Sequence, residues 1–222
     1  MFTLSSSHTL GIQGQERFIM RPANEALIVV DVQNDFCPKG ALAVIDGDAI
    51  IEPINTLLSD FSAGILTQDW HPAGHTSFAS SYDEKSAYDI IDMPYGPQIL
   101  WPDHCIQGTD GASFHEGLKT ENADLVIRKG FRPKIDSYSA FFENDKTTPT
   151  GLEGYLHSRG INTVTIVGLA TDFCIAYSAL DAARLGFRVT VDMTACRGID
   201  LNGSLEAALL QMCTAGVKLK YG

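Results

Sequence analysis

The sequence predicts an α/β fold of three layers, with a mostly parallel six-stranded sheet between two layers of helices, in the Rossmann-like manner. Three observations predict it. Continuous apolar runs, such as residues 26–32 and 163–169, suit strands covered on both faces. These runs alternate with segments whose apolar residues recur at helical spacing, and repeated strand–helix–strand units build right-handed crossovers and a parallel sheet. The 222 residues, 45% hydrophobic and 19% charged, are enough for one sizeable core.

The first strand spans residues 26–32 and is apolar except for Asp31. Residues 33–40 form a loop, with Asn34, Asp35, Pro38 and Gly40 as turn residues. Ile50, Ile54, Leu57, Leu58 and Phe61 predict a helix over 46–61, which Gly64 ends before a second strand closing at Asp69. Residues 70–122 read as irregular, rich in His, Pro, Gly, Ser and aromatics. A loop that long inside a domain is either functional or contains unrecognised elements. The third strand covers 124–130. A second irregular stretch over 131–148 leads to a helix over 151–158, capped by Gly160, and to a fourth strand ending at Leu169. A helix over 172–185 stops at Gly186. A fifth strand over 188–193, a helix over 205–215 and a sixth strand over 217–221 complete the chain. Residues 1–20 are largely polar and read as a flexible N-terminal extension ahead of one domain over 21–222.

Composition narrows the partners. A formal charge of −11 argues against nucleic acid and against anionic membrane surfaces, and favours a small neutral or cationic substrate. Five widely spaced cysteines, Cys37, Cys105, Cys174, Cys196 and Cys213, read as reduced thiols of an intracellular, cytoplasmic protein. Apart from Cys174 they are expected to pack structurally. No apolar run spans a bilayer, and the N-terminus lacks the regions of a signal peptide. Monomer and homo-oligomer both remain open.

In open α/β sheets the active site lies beyond the carboxyl ends of the strands. Here those ends carry Asp31, Asp69, Lys129 and Cys174. Cys174 follows a strand, a glycine and a polar turn and opens a helix. That is where a helix dipole favours a thiolate and where free N–H groups can hold an oxyanion. Asp31 suits proton transfer, and Lys129 suits holding Asp31 and stabilising anions. Taken singly, each has a plain structural reading: a loop cap, an exposed strand-end charge, a buried thiol. Their meeting at one sheet edge favours chemistry. The insert adds Asp69, His71 and His104, a set of two histidines and one carboxylate that suits Zn²⁺, Fe²⁺ or Mn²⁺. The alternative is a group of loop histidines bonded to backbone.

The motifs Val30-Asp31-Val32-Gln33-Asn34-Asp35-Phe36, Gln68-Asp69-Trp70-His71-Pro72, Trp101-Pro102-Asp103-His104-Cys105, Lys129-Gly130, Asp136-Ser137-Tyr138-Ser139-Ala140-Phe141-Phe142 and Gly168-Leu169-Ala170-Thr171-Asp172-Phe173-Cys174 occur in order. In these the chain resembles the nicotinamidases, also pyrazinamidases, of the isochorismatase-like cysteine hydrolase superfamily. The resemblance runs from about residue 26 to the C-terminus. It implies hydrolysis of nicotinamide to nicotinate and ammonia, and of pyrazinamide to pyrazinoate, through a Cys thioester in NAD salvage. It further implies Cys174 as nucleophile, Asp31 as acid and base, and Lys129 as the third catalytic residue. Asp69, His71 and His104 are implied as ligands of one divalent metal ion, zinc first with iron or manganese as alternatives. The fourth protein ligand stays open between Ser77 and His75. The N–H groups of Ala170 and Cys174 are implied as the oxyanion hole, Leu169–Ala170 as a cis bond, and Phe36, Trp101, Tyr138 and Gln33 as the substrate pocket. Phe173 falls at a variable position of the family. Two rival readings keep the same residues: a carbamoyl or ureido substrate, and a non-catalytic metal or thiol sensor. The metal motif and aromatic slot weigh against the first, the completeness of the triad against the second.

Overall fold

The computed structural model describes residues 21–222. The expected extension over residues 1–20 lies outside the described residues. Strand β1 (Glu25–Val30) is buried at every position after Glu25, as its unbroken apolar run requires. Helix α1 (Ile51–Asp60) is entered through a 3-10 turn over Gly47–Ile50 and leads to β2 (Gly64–Asp69), buried throughout. Further along the chain come β3 (Ile90–Met93), β4 (Gly96–Ile99), β5 (Leu125–Lys129) and α2 (Leu152–Ser158). The last part is β6 (Thr163–Leu169), α3 (Ala176–Arg184), β7 (Arg188–Arg197), α4 (Ser204–Thr214) and β8 (Lys218–Lys220).

Six strands form one sheet in the order β5-β2-β1-β6-β7-β8, and every pairing is parallel. From β1 the chain runs outward to β2 and β5. It then returns to the other side of β1 as β6 and runs on to β7 and β8. Right-handed crossovers in opposite directions put α1 and α3 on opposite faces of the sheet. The carboxyl ends of β1 and β6 therefore flank the point where the strand order reverses, which is where open sheets leave a crevice.

The structure departs from the sequence reading in four places. The insert over residues 70–122 is not wholly irregular, because β3 and β4 pair as an antiparallel hairpin. These strands are short, bury only the polar Gln98 and carry Pro97, so they leave no apolar run to detect. Strand β7 continues to Arg197, four residues past the expected end. A register shift between Ile166 and Gly168 lets it resume pairing at Gly168 and Cys196. Gly168 makes this possible: its φ is +121°, and a Cβ there would lie 2.1 Å from the Val30 carbonyl oxygen. The helix expected from residue 172 is preceded by a wider π turn over Thr171–Ile175. Cys213, expected to pack structurally, is exposed on α4, whereas the other four free thiols are buried.

Candidate active site

Asp31, Asp69 and Lys129 stand at the carboxyl ends of three adjacent strands, β1, β2 and β5. Asp69 and Lys129 are register partners. Lys129 belongs to the third strand from Asp31, two strand spacings away, about 10 Å of backbone separation. Only a long stem bridges that gap. Its ammonium lies 2.8 Å from Asp31 Oδ2, 2.5 Å from Asp69 Oδ1, 2.9 Å from the Ser137 carbonyl oxygen and 3.5 Å from Cys174 Sγ. Lys129 has 0% exposure, which is tolerable only because two carboxylates and a carbonyl replace its water. Asp31 sits just past β1 at φ +52° and accepts the Thr67 hydroxyl at 2.6 Å on Oδ1.

These contacts set the protonation balance. Burial would lower Lys129, but Asp31 and Asp69 hold it well above its ordinary value. Burial would raise Asp69, yet Lys129 and His71 carry it well below the carboxylate range. Burial raises Asp31, and Lys129 only partly opposes this. The helix start at Cys174 favours a thiolate, but burial pushes the thiol well up, with Lys129 opposing the shift and the charges of Asp31 and Asp69 reinforcing it. Cys174 Sγ lies with Asp31 and Asp69 in a group whose nearest atoms are all within 4.8 Å of one another. The sulfur thus lies within reach of a carboxylate that can accept its proton.

The nucleophile turn is fixed from both ends. The Leu169–Ala170 peptide bond is cis. The N–H groups of Phe173 and Ile175 both converge on the Ala170 carbonyl at 3.1 Å, so the turn is wider than an α turn. The Ala170 N–H meets no acceptor among the described residues, and first-turn amides such as that of Cys174 lack a partner one turn back. Asp172 accepts the N–H of Ile199 at 2.9 Å and of Asp200 at 2.8 Å, and the hydroxyl of Ser204. It thereby ties the turn to the segment that starts α4.

On the other side of Asp69, Oδ2 faces His71 Nε2 at 3.6 Å and His104 Nε2 at 3.7 Å. Each histidine gives its outer nitrogen to a carbonyl: His71 Nδ1 to Gly130 at 2.9 Å and His104 Nδ1 to Pro102 at 2.8 Å. Those bonds place the protons on Nδ1 and leave both Nε2 lone pairs facing the carboxylate, a set that fits a divalent cation. Gly130 must be glycine here: its φ is +68°, and a Cβ would stand 2.4 Å from His71 Cε1. His75 is spent elsewhere. Its Nε2 donates to the Arg132 carbonyl at 2.8 Å, and its Nδ1 accepts the Ser77 hydroxyl at 2.7 Å. Both His75 nitrogens are thus engaged and the Ser77 oxygen keeps free lone pairs, while His75 also lies with His71 and Asp136 in a second group whose donor atoms are within 4.8 Å of one another.

Between the two groups lies a narrow slot lined by Phe36, Leu42, Asp69, Trp101, His104, Asp136, Tyr138, Ala170, Phe173, Cys174 and Ile199. It encloses about 20 Å³, room for a single water, so a ring enters only as its walls give way. A larger open groove of about 720 Å³, lined by Asp35, Asp48, Asp110 and Glu116 among others, holds none of these chemical groups. Trp101 Nε1 donates to Tyr138 Oη at 2.9 Å, and Phe36 packs 5.5 Å from the His104 ring. Gln33 departs from the expected pocket role. Its Nε2 donates to the Asp69 and Ala112 carbonyls at 2.9 Å, and its Oε1 accepts the Asp69 N–H at 2.8 Å. It braces the end of β2 from behind. Phe173, read as a variable position, forms a wall of the slot, edge-on to Trp101 at 4.9 Å. Leu42, Asp136 and Ile199 were also missed. Asp136 lies inside a quoted motif, but nothing in its spacing distinguishes it from a turn acid.

Several known proteins share this arrangement of chain. The nicotinamidase of Acinetobacter baylyi is 54% identical over 200 residues, covering 90% of this chain and 94% of that protein. A nicotinamidase/pyrazinamidase structure from Acinetobacter baumanii superposes with a TM-score of 0.90 at 56% identity, covering 90% of this chain and 97% of that one. The pyrazinamidase of Pyrococcus horikoshii, solved in complex with zinc, gives 0.71 at 36% identity over 90% of this chain and 99% of that one. The model of the isochorismatase domain matches residues 25–219. That match starts in β1 and ends in β8, taking in every strand of the main sheet, so this chain belongs to the isochorismatase family.

Proposed function

We propose that this protein is a nicotinamidase, an amidohydrolase that converts nicotinamide to nicotinate and ammonia, and pyrazinamide to pyrazinoate, in cytoplasmic NAD salvage. One observation carries the reading. A single carboxylate, Asp69, faces the Lys129–Cys174 pair with one oxygen and the His71–His104 pair with the other. A substrate filling the slot must therefore offer a reactive carbonyl only a few ångströms from a group suited to a metal, as a pyridine carboxamide does. The close relatives named nicotinamidase support the same substrate.

Cys174 Sγ attacks the carboxamide carbon as its proton passes to Asp31. Lys129 stays charged and holds Asp31 and the sulfur together through this transfer. The developing oxyanion takes the N–H groups of Ala170 and Cys174. Asp31 then gives its proton to the amide nitrogen, ammonia leaves, and a thioester remains on Cys174. Water next attacks the thioester carbon while Asp31 takes its proton. Collapse releases nicotinate, and the proton returns to the sulfur. Asp69, His71 and His104, with Ser77 as the remaining protein ligand, hold the divalent ion. We propose zinc as the ion these residues would hold, with iron or manganese as alternatives. When bound, the ion supplies an electrophilic anchor for the ring nitrogen. Phe36, Trp101, Tyr138 and Phe173 hold the ring flat.

Purified protein is expected to release ammonia from nicotinamide, with carbamoyl and ureido compounds poor competitors. Binding of metal and alkylation of Cys174 without any turnover of nicotinamide would replace the enzyme reading with a sensor.

A further inference from the structure

Asp136 presents a charge that the reaction so far leaves unused. It is a 2%-exposed carboxylate in the wall of the slot, beside Asp69 and His104. Its hydrogen bonds are to neutral donors, Gln98 Nε2 at 2.7 Å on Oδ2 and the Ser137 N–H at 2.9 Å on Oδ1. No lysine or arginine among the described residues pairs with it. Among the described residues the groups near it able to carry positive charge are His75, with a ring nitrogen within 4.8 Å, and His71, whose Nε2 lies 3.9 Å from Asp136 Oδ1. That nitrogen is the one turned toward Asp69. A buried carboxylate without a cation is costly, so the surroundings of Asp136 call for one.

The charge balance of the centre points the same way. Asp31 and Asp69 share the single ammonium of Lys129, which leaves one negative charge among them. Asp136 adds a second, and a divalent cation brings the whole group to neutrality. Two oxygens of an ionised carboxylate offer about four acceptor sites, and the hydrogen bonds named above use two.

We propose that Asp136 is a positioning residue of the metal centre. Its charge holds the cation beside His71 and its free lone pairs receive hydrogen bonds from water on the open side of the metal. Gln98 fixes the carboxylate. This amide is buried on β4, in the hairpin hidden from sequence analysis. It also donates to Tyr138 Oη at 3.0 Å, while its Oε1 accepts Tyr95 Oη at 3.1 Å and Asn144 Nδ2 at 3.3 Å. One side chain of the insert thus links the metal end of the slot to its aromatic wall. The inference rests on the metal reading under Proposed function.

The test titrates Zn²⁺ into the full chain, stripped of metal, against a chromophoric chelator. His71→Ala is expected to lose tight binding. If it binds Zn²⁺ as the unaltered protein does, the metal reading itself falls. With that control in place, Asp136→Asn is expected to weaken Zn²⁺ binding by roughly 10- to 100-fold. Unchanged affinity in Asp136→Asn overturns the proposal. So does unchanged affinity combined with a lower melting temperature of the metal-free form, the signature of a mere turn acid. Should Asp136→Asn not fold, Asp136→Ser removes the charge while keeping a hydrogen-bonding group, and the same two outcomes apply.

Discussion

The two sides of the slot are built in different ways. On the strand side, Asp31, Asp69, Lys129 and Cys174 come from the ends of β1, β2 and β5 and from the turn after β6, and three of the four are charged. Under burial the Lys129 ammonium offsets one of the two carboxylate charges and leaves one negative charge among them. On the insert side, Trp101, Tyr138, Gln98 and Phe78 come from loops and a small hairpin and meet through neutral hydrogen bonds and ring contacts. The difference teaches where a fold can afford to keep ions. Strand ends are held by parallel ladders, on both sides of β1 and β2 and on one side of β5, so buried charges stay in register. The insert is tied to the loop after β1 by contacts such as the Gln33–Phe114 bridge, and its aromatic groups tolerate small shifts. Changes to the buried strand-side charges should therefore cost chemistry and folding together, and changes to the aromatic wall chiefly ring affinity.

The largest effect is expected from Cys174→Ala. Loss of the nucleophile should remove detectable ammonia release, while circular dichroism and the melting temperature stay near those of the unaltered protein. Residual turnover within tenfold would detach the chemistry from the strand side. Lys129→Ala comes next, because it strands two buried carboxylates. A loss of about 3–5 kcal/mol in urea unfolding is expected, along with loss of activity. A stability change under 1 kcal/mol would show that water reaches the pair and that burial does not set its cost.

Asp172→Ala tests the link between the nucleophile turn and α4. It leaves the N–H groups of Ile199 and Asp200 without their acceptor, and a loss of about 1–3 kcal/mol is expected. Phe173→Ala sharpens the contrast from the ring side. Removal of its edge contact with Trp101 should raise KM about tenfold, equivalent to about 1.4 kcal/mol, with a smaller change in kcat. An equal fall in kcat would place Phe173 with the chemistry instead.

The smallest effect lies away from both sides. Burial would raise Asp192, but Lys220 at 2.7 Å and the Thr194 hydroxyl carry it below its reference value of 3.8. A lowered carboxylate stabilises the fold above its unfolded-state value and loses that contribution as pH falls through the folded-state value. Lys220→Met should therefore cost about 0.2–1 kcal/mol at neutral pH, the lysine being half exposed. The gap between variant and parent should close as pH drops below 3.8; a gap that persists in acid would assign the effect to packing of the lysine stem.

The strand side was the legible one. Apolar runs that end in Asp31, Asp69 or Lys129 give both the element and the chemical group at its end, since a parallel strand must finish near the crevice. The insert was legible only as motifs. Gln98 and Asp136 carry no periodic signal, and the partners of Gln98 stand 38 and 40 residues away in sequence. Gln33 illustrates the limit from the other direction. Its place in a motif suggested the pocket, whereas its amide is spent on the backbone of β2.

By itself the sequence determined the α/β alternation and placed Asp31, Asp69, Lys129 and Cys174 at one sheet edge, because burial and period are local properties of the chain. Only the tertiary structure decided that both nitrogens of His75 are taken up by Ser77 and Arg132, that Phe173 walls the slot, and that burial raises the Cys174 thiol. Each depends on how charges and hydrogen-bonding groups from distant segments share a volume without water. In such a volume the partner, not the residue type, sets protonation and role.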